Sequence, residues 1–198
     1  MGALTLCSSA SAAVLDDFKP PQDQALVVFI QNLRADRTMT FLVFEADRTC
    51  VAEVGGREAR RVPMQPGSHT LYVSGYSTER IQLDLEAGRT YFVRLFTVQR
   101  TMSRQDEVTL VRRGTDSYMS LRSWLDGADV THASQDRCHG KPLRERKKRT
   151  VRRILEGDAD WNEGGERYRI DHILAPDEGF TANELDAMTT AMPGDDGD

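Results

Sequence analysis

Residues 81–98 read IQLDLEAGRTYFVRLFTV. Ile81, Leu83 and Leu85 recur at every second position. The turn Glu86-Ala87-Gly88 follows, and then Tyr91, Val93 and Leu95 alternate with Phe92 and Phe96. A period of two is what a strand needs, because successive side chains point to opposite faces of a sheet. Two such runs joined by a glycine turn predict two consecutive strands.

The same pattern extends to both sides. Ala25-Leu-Val-Val-Phe-Ile30 is a continuous apolar run, as in a strand buried on both faces. Met39, Phe41 and Val43 alternate with Thr40, Leu42 and Phe44. A turn at Ala46-Asp47-Arg48 leads into Thr49–Val54. Gly55-Gly56 predicts a tight hairpin, since glycine reaches positive φ without a Cβ clash. Pro66-Gly67 predicts another turn before a strand over His69–Tyr76, and Val108 with Leu110 ends the series. Seven or eight short strands with close turn signals predict a mainly β fold, an antiparallel β-sandwich over residues 24–113. No helical run separates the strands, which excludes a parallel sheet built on helical crossovers.

After Gly114 the period changes. Tyr118, Leu121, Trp124 and Leu125 share one helix face, with Ser117 as its cap and Gly127 as its stop. Pro142 opens a second helix that Gly157 ends, with Val151, Ile154 and Leu155 as its apolar stripe. Tyr168 and Ile170 suggest a short strand. Thr181-x-x-Glu184 is a capping box, Phe180 and Leu185 are placed as its hydrophobic staple, and Met188 and Met192 continue that face. Residues 114–192 therefore read as a mainly helical C-terminal extension, and 193–198 as a disordered acidic tail.

The strand segment resembles a group of uncharacterised exported bacterial domains related to the PEGA-type, immunoglobulin-like β-sandwich. The resemblance rests on Ala25–Ile30, Val62-Pro63-x-x-Pro66-Gly67-x-His69-x-Leu71, Gly75-Tyr76 and Leu83-x-Leu85-x-x-Gly88-x-x-Tyr91. These are turn glycines and core apolars, so the likeness speaks to fold more than to activity. It implies a small cell-envelope sandwich used for binding or scaffolding, and it brings no catalytic residues.

The N-terminus points to the same compartment. MGALTLCSSASAAVLDDF is apolar and rich in small residues, and Ser9-Ala10-Ser11-Ala12-Ala13 offers an A-x-A-like cleavage site. Residues 1–13 read as a truncated secretory signal, which makes the protein periplasmic or otherwise extracytoplasmic. Export would leave Cys50 and Cys138 as an even pair in an oxidising compartment, where a disulfide is expected.

Composition limits the partners. The 198 residues are 39% hydrophobic and 29% charged, with a formal net charge of −5. No apolar run approaches the roughly 18 residues a membrane span requires. Residues 141–153, KPLRERKKRTVRR, hold eight basic residues against Glu145 and carry +7; residues 156–198 carry −11. The basic run makes Arg144, Lys147, Lys148, Arg149, Arg152 and Arg153 candidate anion-binding residues, for an anionic polymer or a membrane surface. It lacks aromatic residues for base stacking, which argues against nucleic acid. The acidic segment directly downstream is expected to compete for its charges. The partner itself is not specified by the sequence; the resemblance implies another envelope protein or a polysaccharide.

No motif carries catalysis. There is no G-x-S-x-G elbow, no S-x-x-K pair and no phosphate-binding glycine loop, so no enzyme activity and no cofactor are expected. His69 is expected to bond turn backbone. His132, His139 and His172 are scattered, and Cys138-His139 lacks a second ligand at zinc spacing. Asp158-x-Asp160-x-Asn162 starts like a calcium loop, but Glu163 replaces the sixth-position glycine and Arg169 the twelfth-position glutamate. Counting back twelve from Glu184 places Ile173 where the first carboxylate belongs. No metal site is expected.

Overall fold

The computed structural model describes residues 13–33, 38–126, 128–132 and 143–191. Ten strands form two five-stranded sheets within these residues. The chain begins with a short helix α1 (Ala13–Asp16). Then come β1 (Ala25–Gln31), β2 (Thr40–Glu45), β3 (Cys50–Gly55), β4 (Glu58–Met64), β5 (Gly67–Ser74), β6 (Thr78–Leu85), β7 (Thr90–Gln99) and β8 (Arg104–Leu110). Helix α2 (Asp116–Leu125), strand β9 (Asp129–His132), helices α3 (Leu143–Glu163) and α4 (Glu166–Asp171), strand β10 (Ile173–Leu174) and helix α5 (Ala182–Ala191) complete it. The first sheet has the order β8-β7-β1-β4-β9 and the second β10-β6-β5-β2-β3.

The mainly β expectation holds, but the sheets are mixed rather than antiparallel. β7 runs parallel to β1, β9 parallel to β4, and β10 parallel to β6. The cause lies in the turns. Gly56, Gly67 and Gly88 all have positive φ, and each turn carries the chain from one sheet to the other. Sequence neighbours across these turns are therefore not sheet neighbours. The expected Gly55-Gly56 hairpin is such a crossing: β3 pairs with β2, and β4 pairs with β1.

β1 is buried along its whole length. Its odd positions, Ala25, Val27 and Phe29, face the second sheet and meet Phe41, Val43, Leu71, Ile81, Leu83, Tyr91 and Val93 in the inter-sheet core. Its even positions, Leu26, Val28 and Ile30, face outward into a second core. Phe18, Leu121, Leu125, Phe180, Leu185 and Met188 cover them there. Each fully buried Leu, Ile or Phe contributes about 1.5–3 kcal/mol, so the helices are bound by an apolar layer of their own.

The C-terminal half is woven into both sheets through β9 and β10, neither of which alternation revealed. In α2, Leu121 and Leu125 are buried as expected, with Tyr118 and Trp124 packed beside them. Its N-cap is Thr115; Ser117 instead accepts the Arg112 amide and donates to the Leu110 carbonyl. The capping box of α5 forms, with the Thr181 amide donating to Glu184 and the Glu184 amide to the Thr181 hydroxyl. Its staple, Phe180 and Leu185, is buried.

Further local expectations fail. Tyr168 and Ile170 lie in α4, not in a strand. α3 does not stop at Gly157 but runs on to Glu163. Gly157 sits where the helix crosses the second sheet, and a Cβ there would stand 3.1 Å from Tyr72 and 3.3 Å from Thr78. The glycine permits close approach and does not end the helix. The face that meets the sheet is Arg153, Gly157, Asp158 and Trp161, while Val151 and Leu155 are exposed. Residues 1–12, Gly127, Cys138, His139, Pro142, Met192 and the 193–198 tail lie outside the described residues.

Two-sided burial of β1 makes a measurable demand. Phe29→Ala and Ile30→Ala should each destabilise the protein in urea, by about 3–5 and 2–5 kcal/mol respectively. A strand with one wet face would show that loss at only one of these neighbours. An Ile30→Ala variant within about 0.5 kcal/mol of the parent would contradict the second core.

Candidate functional site

The residues singled out from sequence fall into distinct places. Cys50 opens β3 at the edge of the second sheet and is half-buried, while Cys138 is outside the described residues. Arg144, Lys147 and Lys148 lie on α3, with their side chains outside the described part. Arg149 is exposed. Arg152 is 68% exposed and meets Glu156 one turn along at 3.2 Å. Arg153 turns the other way: its guanidinium donates to the carbonyls of Gly75 and Tyr76 and pairs with Glu156. It holds the helix to the sheet.

The acidic segment takes other partners. Asp158 pairs with Arg80, Glu178 with Arg112, Glu184 with Arg113, and Asp186 with Lys19. All four cations belong to the first 113 residues. Among the described side chains, Glu156 pairs with Arg152 and Arg153 of the basic run. Asp158, Glu178, Glu184 and Asp186 thus dock this segment onto the sheets through cations outside the basic run.

Three buried polar clusters underlie these faces. In the first, Asp106 of β8 is fully buried and accepts the amides of Gly75, Tyr76 and Ser77 at the β5–β6 hairpin. Burial pushes its carboxyl up to about 6; the three amides and Arg153 pull the other way. In the second, Arg60 reaches Glu58 and the His132 carbonyl, and Thr131 donates to Glu58, so β9 is pinned to β4. Arg60 is 1% exposed, which makes this a desolvated pair held by its hydrogen bonds.

The third cluster lies on the outer face of the second sheet, under α3 and α4. Tyr72 donates to Asp158 at 2.7 Å, and the Arg80 guanidinium sits 4.6 Å from the Trp161 ring centre. Burial, then the Asp158 hydrogen bond, pushes Tyr72 up to about 12. Tyr168 donates to Glu79 at 2.8 Å, and burial together with the Glu79 charge raises its pKa. His172 stacks on Tyr168 with ring centres 4.2 Å apart. Its Nδ1 faces the Tyr168 carbonyl at 2.7 Å and its Nε2 faces Glu79 at 3.3 Å. Both nitrogens meet oxygen acceptors, which suits the doubly protonated ring. Imidazole, phenol and carboxylate are the ingredients of proton transfer, yet here they join α4 to β6 within the fold.

His69 behaves as expected, bonding the Gln65 carbonyl and Glu45 at 2.9 Å each. Asp158 and Asp160 lie within a helix, and among the described residues no three His, Cys, Asp or Glu come together as metal ligands. No described helix is long and apolar enough to cross a membrane. Sequence reading missed Asp106, although an aspartate on the inward parity of β8, in step with Val108 and Leu110, is the signal that finds it. The sequence matches no protein-family model and no curated protein.

The His172 cluster yields a pH dependence. Burial lowers the pKa of His172, but the Glu79 bond, the Tyr168 carbonyl and the Glu79 and Asp171 charges together raise it above 6.5. A folded-state pKa above the unfolded value gives stabilisation that is complete below about pH 6.5 and is lost as pH rises through the folded value. The NMR titration midpoint of His172 should lie above 6.5 and fall back in Glu79→Gln. A midpoint below 6.5 in the parent protein would contradict the pairing.

Proposed function

We propose that this chain is an exported, non-catalytic module of the cell envelope that binds or scaffolds another envelope component. Its residues 24–113 are read as an immunoglobulin-like, PEGA-like sandwich extended by a C-terminal segment, and Cys50 and Cys138 as a disulfide. One observation carries the reading: the buried carboxylates Asp106 and Glu58 and the half-buried Asp158 each bond this chain's own backbone or neighbouring elements. Such groups serve to build a rigid platform, whose exposed faces and edges then recognise a partner.

The sandwich type has a specific support. Tyr91, at the start of β7, accepts the Glu86 amide at 2.8 Å and donates to the Pro176 carbonyl at 2.8 Å. A buried tyrosine bonding backbone a few residues upstream, where the chain changes sheets, is a recurrent feature of immunoglobulin-like sandwiches. In the bridge, Cys50 would tie the β3 edge to the connector before α3, closing a loop of 88 positions. Such a closure stabilises by about 4 kcal/mol.

Export and bridging are separable experimentally. Fractionation of cells expressing the gene from its own locus should place the protein outside the cytoplasm, and its intact mass should rise on reduction. Reduction should also cost about 4 kcal/mol in urea. A cytoplasmic protein with free thiols would overturn this part, and substrate turnover by purified protein would overturn the non-catalytic part.

A second reading is favoured by the charge layout. With the acidic segment docked on Arg80, Arg112 and Arg113, the exposed Arg149 remains available to an anionic polymer or membrane surface. Binding to anionic vesicles should weaken steeply with salt and fall when Lys147, Lys148 and Arg149 are changed to Glu. Unchanged binding after charge reversal would dispose of this reading.

A further inference from the structure

Arg57, Arg61 and Arg169 bond a carbonyl or an imidazole and meet no described carboxylate, and Arg94 stands apart from them by lying over two aromatic rings. Arg80, Arg112 and Arg113 meet carboxylates, Arg89 meets Glu86, and Arg153 meets Glu156 and two carbonyls. Arg94, on the outer face of β7, meets no described carboxylate. Its Nε donates to Asn32 at 3.2 Å. Its guanidinium carbon lies 4.4 Å from the Trp124 ring centre and 4.8 Å from that of Phe96. Burial lowers its pKa, and no neighbouring charge compensates.

Two aromatic rings therefore desolvate and orient the guanidinium, while its two Nη groups have no described partner. Asn32 must turn its carbonyl oxygen to the Arg94 Nε, which points its amide nitrogen away as a further donor. Among the described residues the site offers donors and aromatic faces, and its one acceptor, Asn32 Oδ1, is taken by Arg94. The nearest carboxylate in register, Glu107 opposite Phe96, pairs with Arg100 at 2.7 Å.

We propose that Arg94, Asn32, Trp124 and Phe96 form a binding site for the carboxylate of an acidic saccharide. The free fork of Arg94 matches a carboxylate in bidentate geometry. The Asn32 amide suits a hydroxyl, and the rings suit the C–H face of a sugar. This deepens the envelope-binding reading and rests on it, by naming the ligand class and the surface.

The test is calorimetric titration of the full chain with trigalacturonate, with maltotriose and inorganic phosphate as controls. Trigalacturonate should bind saturably, and the indole N–H resonance of Trp124, but not that of Trp161, should shift. Arg94→Lys keeps the charge but loses the fork and should weaken binding about tenfold or more, with circular dichroism reporting an intact fold. The proposal is overturned by absent trigalacturonate binding, by equal binding of maltotriose or phosphate, by equal binding to a folded Arg94→Lys, or by a response at Trp161 alone. Should that variant misfold, the Trp124 resonance still decides. An extracytoplasmic protein that fails this titration refutes the site and leaves the envelope reading standing; a cytoplasmic protein that passes does the reverse.

Discussion

The structure depends on β1 having no wet face. A strand buried on both sides must be central in its sheet and must be covered by two different layers. In this chain the second sheet supplies one cover, and α1, α2 and α5 supply the other. Those helices come from the two ends and the middle of the sequence. Their placement follows from the need to keep Leu26, Val28 and Ile30 out of water, together with Phe92 of the neighbouring strand. The Thr90 amide and carbonyl also exchange bonds with Phe180 at 2.8 Å each, so the C-terminal segment is held by backbone as well as by apolar contact.

Burying both outer faces leaves the hairpins and edges to be secured by polar groups. The β5–β6 hairpin shows how. Asp106 reaches it from the first sheet and occupies its three amides, while Arg153 reaches it from α3 and occupies two carbonyls. Donors and acceptors of one tight turn are thus satisfied from two different elements, and the turn becomes the joint between both sheets and the helix. Gly75 fits because a Cβ there would meet Met39 and the Asp106 carboxylate. A buried carboxylate is costly without such partners, which explains why burial and hydrogen bonding pull its proton affinity in opposite directions.

Much of the β architecture was legible, and the reasons it stopped being legible are physical. Alternation located β2 and β5 to β8, and the unbroken run Ala25–Ile30 disclosed two-sided burial. Turn glycines located the corners but not where the chain went after them: a positive φ is required equally for a hairpin and for a crossing between sheets. That is why β3 and β4 read as partners and are not. β9 and β10 are too short for a period to register, and they are defined by the strand they join. Gly157 was misread because a helix stop and a close helix–sheet crossing both call for a missing side chain. Trp161 and Arg153, which share its face, carried the information that the helix continues.

Charge spacing along the chain proved a poor guide to charge pairing in space. The adjacent +7 and −11 blocks invite the view that they neutralise each other. Helical geometry restricts that to i+3 and i+4 neighbours, and only Glu156 stands close enough to Arg152 and Arg153. Beyond it the chain follows α3 across the second sheet, where Asp158 finds Arg80 and Tyr72, and then returns past the Arg112-Arg113 pair. Those two arginines also donate to the carbonyls of Ile170, Ile173, Asp177 and Gly179, which no lysine could do with the same fork. The carboxylates of the acidic segment thus meet the arginines that the sheets present.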